Sequence, residues 1–352
     1  MRYKLGDIAP IRQGNVADED EYWLLNLDMV ESNTGRIIDY LTVPKEEIGN
    51  STVTFDTKNV LYSKLRPYLN KVVLPQQSGY ATSEMLPLRP DKNVITREYL
   101  TYFLRSPKFV GYINEKTGGA KMPRANISDL KAVEIDCPDI DVQKKITEAF
   151  DRLTDIIAKR QQELIALDDL IKARFVELFD GKYPEDTLLN LCSIIDYRGK
   201  TPEKVERGLP FITAKNVKMH HMTLEPREYI SKETYDKVMV RGFPKEGDVV
   251  FTTEAPLGNV CRIPHFDTEF YIGQRIVTMQ TDALNPTYLE YALSDEEFVR
   301  KYMGKSSGST VTGIRVRLLE QLTIPVPPRT LQDEFSIFVE QVDKSKFIQQ
   351  II

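Results

Sequence analysis

The stretch 141–180 constrains the fold more than any other, because it runs from Asp141 to Asp180 without a Gly or Pro. Two heptad-spaced apolar series run along it: Ile146, Leu153 and Leu167, and Phe150, Ile157, Leu164, Ile171 and Leu178. They interleave at spacings of three and four, the seam of a coiled coil. Gly181 and Pro184 then supply the stop, the first as a permissive residue past a helix end and the second because it cannot continue one. A helix of this length spans roughly 60 Å, far beyond the usual globular helix. Arg160 and Arg174 interrupt the seam.

The sequences on either side of the rod repeat each other. At a constant offset of 189, Asn59-Val60-Leu61-Tyr62-Ser63 lies over Asp248-Val249-Val250-Phe251-Thr252, Pro67 over Pro256, Asn70 over Asn259 and Pro75 over Pro264. The stretch 99–153 aligns to 288–342 without a gap, pairing Phe109-Val110 with Phe298-Val299, Gly119 with Gly308, Pro138 with Pro327 and Gln143 with Gln332. Each unit is a globular part, a Pro-containing exit and a helix. The expected domains are 1–140, the rod 141–180, 181–330, and a shorter helix 331–352 that continues the apolar pattern through Leu331, Phe335 and Val342.

Within the globular parts the texture is strand and turn, with short helices expected from Thr96 and Asn285 to about Arg105 and Leu293. Val249-Val250-Phe251, Asn259 to Ile263, and Arg275 to Met279 read as strands, the last an alternating one. The fold class is therefore α+β, two similar domains in a pseudo-twofold duplication separated by long helices with a coiled-coil seam.

Composition excludes several classes. With 41% hydrophobic and 28% charged residues the chain has the make-up of an ordinary soluble protein. No run approaches the length of a spanning helix, and Met1 to Asp7 lacks the apolar core of a signal peptide, so a cytoplasmic location is expected. Cys137, Cys192 and Cys261 are odd in number and far apart, which suits a reducing compartment. The three histidines, His220, His221 and His265, have no ligand spacing with a Cys, so no metal is expected. Neither phosphate-binding glycine motif occurs, no catalytic set is repeated, and no cofactor is expected.

What recurs is a basic, glycine-containing segment before each Pro exit. The first holds Lys121, Arg124 and Asn126. The second holds Lys305, Ser306, Ser307, Thr310, Thr312 and Arg315. These side-chain types meet phosphates and base edges, and glycines let backbone approach a ligand closely. Between Phe298 and Leu319 there are five basic residues, Arg317 among them, and no acidic one. Two further candidate surfaces follow the offset-matched strands. One carries Ser63, Lys64 and Arg66 in the first unit and Thr252, Thr253 and Glu254 in the second. The other carries Thr82-Ser83-Glu84 and Gly273-Gln274-Arg275.

This order of parts resembles the specificity (S) subunit of type I restriction–modification systems. Gly208 to Ile212 with Lys215-Asn216-Val217 is similar to an early target-recognition segment of that family, and Gly247 to Thr252, Gly308-Ser309-Thr310, and Ile324 to Pro328 also look typical. So do the helix starts Val142 to Ile146 and Leu331 to Phe335. The resemblance implies a non-catalytic reader of double-stranded DNA, with Lys215 added to the DNA-facing set. Each globular part would be a target-recognition domain for half of a bipartite site. The helices would pair antiparallel, set the spacing and dock two methyltransferase subunits, to which a restriction (translocase/nuclease) subunit is added. The partner-facing helical positions would be Ile146, Phe150, Leu153, Ile157, Arg160, Leu164, Leu167, Ile171, Leu331, Phe335 and Val342. Relatives of this kind commonly carry two helices of similar length, so the shorter second helix is expected to leave Arg174 beyond its reach and to weaken one docking site. Two other readings fit the duplication: a protein-interaction scaffold that never meets DNA, and a single-chain DNA methyltransferase.

Overall fold

The structure, a computed structural model, describes all residues except 119–120, 180, 182, 198–201, 274, 308–311 and 352; the side chains of 348–351 are also outside the description. The chain divides into two compact units, Met1–Lys159 and Arg160–Ile352.

In the first unit, β1 (Arg2–Lys4) and α1 (Leu5–Ile8) lead into β2 (Glu21–Leu25), β3 (Leu41–Pro44) and β4 (Thr52–Phe55). Next come β5 (Val60–Ser63), β6 (Val72–Val73), β7 (Gly79–Thr82) and β8 (Met85–Leu88). Helices α2 (Arg97–Arg105), α3 (Pro107–Glu115) and α4 (Ile127–Ala132) precede β9 (Glu134–Asp136). One sheet has the order β3-β2-β7-β4, a second β6-β5-β8, and β1 pairs with β9. β2 and β7 run parallel, the remaining pairs antiparallel. Helix α5 (Ile140–Phe179) follows, close to the expected bounds.

The second unit repeats the plan. β10 (Glu185–Thr187) and α6 (Leu188–Leu191) lead into β11 (Ser193–Asp196), β12 (Leu209–Ile212), β13 (Val217–Lys218), β14 (His221–Met222) and β15 (Tyr229–Ile230). After α7 (Lys232–Val238) come β16 (Val249–Thr252), β17 (Val260–Arg262), β18 (Tyr271–Ile272) and β19 (Ile276–Gln280). Helices α8 (Pro286–Ser294), α9 (Glu296–Met303) and α10 (Val316–Leu319) precede β20 (Thr323–Pro325) and α11 (Arg329–Ile351). β5 pairs with β6 and β8 as β16 pairs with β17 and β19, and β12 lies parallel to β18 as β2 does to β7.

Local chemistry explains the helix starts. Thr96 and Asn285 cap α2 and α8, their side chains accepting the N–H of Tyr99 and Thr287. Pro286 opens α8 at a position where a missing N–H costs nothing. Each long helix is then tied back to its unit by a buried glutamine, Gln143 or Gln332.

Three expectations need correction. β19 does not alternate: Ile276, Val277, Thr278 and Met279 are all buried, because the strand lies between β11 and β16 with both faces covered. The seam of α5 is not a strict heptad at its C-terminal end. There Ile171, Phe175 and Phe179, spaced by four, pack with Phe335, Val339 and Val342 of α11. Phe335 is fully buried among Phe175, Phe179 and Tyr291. Finally, Arg174 is within reach of α11: it contacts Glu334 at 2.7 Å, while Asp168 meets Lys346 at 2.7 Å. The two contacts run in opposite chain directions, so the pairing is antiparallel and α11 starts beside the end of α5. The short helix covers that end. In the first unit, Phe150, Leu153, Ile156 and Ile157 of the long helix are exposed. Arg160 contacts Glu163 on its own helix at 3.6 Å.

Candidate nucleic-acid interface

In each unit three loops meet where β5 or β16 ends, and equivalent main-chain bonds fix them. In the first unit the N–H of Lys64 donates to the carbonyl of Glu84 at 3.0 Å, and that of Ala125 to the carbonyl of Lys64 at 2.8 Å. In the second the N–H of Thr253 donates to Arg275 at 2.8 Å, and that of Ile314 to Thr253 at 2.9 Å. Bridges Leu65–Arg124 and Gly118–Arg124 recur as Glu254–Gly313 and Ser307–Gly313. The basic glycine-containing segment is thus stitched to the loop after β5 or β16.

That loop carries a strained residue at the same place in both units. Arg66 and Ala255 both have φ of 50°, a left-handed conformation disfavoured for residues with a Cβ, and each precedes a proline. Strain kept at equivalent positions by surrounding bonds is a mark of a functional loop. Gly258 completes the turn, with φ of +91° and so little room that a Cβ would lie 2.2 Å from the Tyr302 hydroxyl oxygen.

The candidate side chains separate into groups. Ser63, Thr252 and Thr253 are buried and do not face solvent. The Ser63 hydroxyl donates to the Leu65 carbonyl at 3.0 Å, and the Thr252 hydroxyl accepts the Asn259 N–H at 2.8 Å, so these polar groups shape the loop from inside. Ser306 is half-buried and donates to the Met303 carbonyl. Asn126 caps α4, accepting the Ser128 N–H at 3.0 Å. The exposed cations Arg66, Lys121, Lys305, Arg315 and Arg317 make no ion pair among the described residues. Ser307 and Thr312 are exposed beside them. Lys215 is exposed on the turn between β12 and β13, where buried Asn216 bonds Thr213, Thr223 and Pro226, and no contact described ties it to the three-loop junction. Gln274 and Thr310, with Gly119, Gly308 and Ser309, lie outside the described residues.

Two carboxylates of the candidate surfaces, Glu84 and Glu254, form ion pairs at the junctions that the sequence did not show. Glu84 binds Arg124 through Nε at 3.1 Å and Nη2 at 2.9 Å, with Lys64 at 3.9 Å. Glu254 binds Arg275 Nε at 2.7 Å. The Glu84 carboxylate holds the Arg124 guanidinium above its ordinary value through the hydrogen bond and its charge. Nothing in the local sequence signals these pairs, since their members come from different loops.

Other chemistry is sparse. Burial pushes the thiols of Cys192 and Cys261 up to about 12, which leaves them unreactive. His220 Nδ1 lies 2.9 Å from buried Glu290 and its ring stacks on Tyr291, a satisfied core arrangement. Among the described residues no group of His, Cys, Asp and Glu could hold a metal ion. Among the described residues no helix is long and apolar enough to cross a membrane. A cleft of about 470 Å³ in the second unit opens among Phe175, Phe179, His220, Tyr291 and Phe298, and none of the loop residues named above lines it.

The family model for the type I restriction modification DNA specificity domain matches residues 1–167 and 189–352. The chain belongs to this family. Two copies of the specificity domain therefore account for both units and most of the helices. The specificity subunit of the type I restriction enzyme EcoDI from Escherichia coli is 24% identical over 44% of this chain and 35% of its own length. A putative MjaX specificity subunit from Methanocaldococcus jannaschii is 24% identical over 74% of this chain and 64% of its own. The MjaIX specificity subunit from the same organism is 22% identical over 96% of this chain and 85% of its own. The chain thus matches about a third and just under two thirds of the first two. Among solved structures, the type I S subunit from M. genitalium superposes with a TM-score of 0.58 at 13% identity, covering 99% of this chain and 91% of that one. A chain reported under the structural basis of complex assembly and conformational transition of the type I R-M system gives 0.61 at 18%, covering 99% and 92%. At these identities the likeness is one of fold, and it agrees with the specificity-domain assignment made from sequence.

Proposed function

We propose that the chain is the DNA-reading specificity subunit of a type I restriction–modification complex in the cytoplasm, and that it carries no catalytic site. Each globular unit reads one half of a bipartite target through its three-loop junction. The observation that carries this reading is the junction itself, built twice on the same main-chain bonds but lined by different exposed side chains. Two sites of one kind with two targets need that combination. The unpaired cations supply sequence-independent attraction to phosphates, and partner subunits add to it.

The exposed Phe150, Leu153 and Ile157 support docking of the methyltransferase subunits along α5, while Ile171, Phe335 and Val342 serve the intramolecular helix pair. A restriction subunit joins that core. Exchange of residues 1–140 for those of another specificity subunit tests the reading. Methylation mapping should then show one half of the modified sequence changed and the other retained; change in both halves or in neither rejects it. A scaffold that never meets DNA would also be indifferent to Arg315→Ala with Arg317→Ala, whereas the reader loses affinity.

A further inference from the structure

The two junctions hold the same ion pair assembled from different loops. In the first unit the carboxylate, Glu84, lies between β7 and β8 and the arginine, Arg124, on the basic segment. In the second the carboxylate, Glu254, follows β16 and the arginine, Arg275, lies between β18 and β19. A surface ion pair contributes little to stability, and exposed pairs need not persist through a duplication. Here the pair recurs at the same junction with both members changed, which points to use of the pair and not to inheritance of its residues.

The geometry says what that use is. A guanidinium offers a side edge, Nε with one Nη, and an end-on fork formed by both Nη groups. Glu84 takes the side edge of Arg124, whose Nη1 makes only a 3.4 Å contact with the Met122 carbonyl. Glu254 takes Nε of Arg275. Arg124 keeps a second N–H on each Nη beyond these bonds, Arg275 uses neither Nη in a hydrogen bond among the described residues, and the side chains remain half exposed at 46% and 51%. The adjacent carboxylate also cancels much of the charge that would draw the arginine to a phosphate. A charge-compensated, plane-fixed fork suits guanine, whose O6 and N7 accept two parallel bonds in the major groove.

We propose that Arg124 and Arg275 read guanine through their end-on forks, oriented by Glu84 and Glu254, while the unpaired Arg66, Lys121, Lys305, Arg315 and Arg317 hold phosphates. This rests on the DNA-reading role proposed above and divides the interface into specifying and positioning side chains.

The test uses the chain assembled with methyltransferase subunits. Methylation mapping gives the parent motif, and synthetic duplexes carrying it and its single-base variants are titrated at several salt concentrations. Arg124→Lys keeps the charge and removes the fork. It should relax one guanine position in one half-site, removing a preference of about 5- to 100-fold, with the salt dependence unchanged. Glu84→Gln should relax the same position. Arg275→Lys should relax a position in the other half-site, and decides the matter if the Arg124 variant does not fold. Lys121→Ala should leave the motif intact and lower the log–log salt slope by about 0.9. An unchanged motif in folded Arg124→Lys and Arg275→Lys complexes overturns the inference, as does a reduced slope without relaxed specificity in Arg124→Ala. If the parent complex binds no duplex in preference to another, the DNA-reading role itself fails, which is a distinct result.

Discussion

The side-chain carbonyl of Gln143 accepts the backbone N–H of Thr96 at 2.9 Å, joining the start of the long helix to the cap of α2. Its amide donates to the carbonyls of Val94 and Pro138, both at 2.8 Å. Gln332 repeats the arrangement with the N–H of Asn285 at 2.7 Å and the carbonyl of Pro327 at 2.8 Å. Both side chains are buried, so one amide satisfies main-chain groups of a helix cap and a Pro exit that water does not reach.

Replacing this amide by an apolar group of similar size should therefore be costly. Gln332→Leu strands a buried N–H and carbonyl and should destabilise the chain by about 1–3 kcal/mol for each group left unpaired. Urea denaturation followed by circular dichroism measures it, and a loss below 0.5 kcal/mol by that method, about the scale of an ordinary surface change, contradicts the structural role.

Phe335→Ala should destabilise by about 3–5 kcal/mol, because a fully buried ring leaves a cavity among other aromatic rings. By contrast Leu153→Ala and Ile157→Ala, on the exposed stretch of α5, should change stability of the isolated chain by less than about 0.5 kcal/mol. The same two changes should weaken co-purification with methyltransferase subunits. Intact assembly in the double variant removes this stretch from the docking surface.

Acid should act through Glu185. Hydrogen bonds from Lys301 at 2.7 Å and from the Thr323 hydroxyl hold its carboxyl below the ordinary 4.5, against the opposing effect of burial. A carboxyl lowered in the folded state stabilises above its unfolded pKa, and that contribution disappears as pH falls through the folded value. The difference in melting temperature between the parent and Glu185→Gln should thus be largest near neutrality and should close as the pH falls below the ordinary 4.5 and through the lowered folded value. A gap that widens in acid has the wrong sign.

Removing one heptad from the exposed part of α5 preserves the face each side chain occupies while shortening the helix by about 10 Å. The methylated motif should keep its bases and change only the number of unspecified positions between them. Altered bases would show that the helix does more than set spacing.

Much of the architecture was legible in the sequence. The long helix, its stop at Gly181 and the caps at Thr96 and Asn285 appear in the structure because each depends on near neighbours in the chain, and the repeat at an offset of 189 appears as equivalent strand pairings in the two units. The antiparallel helix pair was also legible, but not which end of α5 it covers. Heptad counting assigned Leu178 to the seam and passed over Phe175, although the partner helix meets residues spaced by four. The loop residues were read by type alone, so the inward turn of Ser63, Thr252 and Thr253 was invisible: a hydroxyl serves a loop carbonyl as readily as a phosphate. The Glu84–Arg124 and Glu254–Arg275 pairs were hidden for a different reason. Their members are 40 and 21 residues apart and occupy different places in the repeat, so an alignment of the two halves cannot superimpose them.

The junction bonds run between amides and carbonyls, groups that every residue other than proline possesses in full. Positions 64, 125, 253 and 314 can therefore change side chain freely as far as these bonds are concerned. Under the proposed DNA-reading role, retargeting then demands no new backbone: point substitutions rewrite what a junction reads while the scaffold beneath it stays the same.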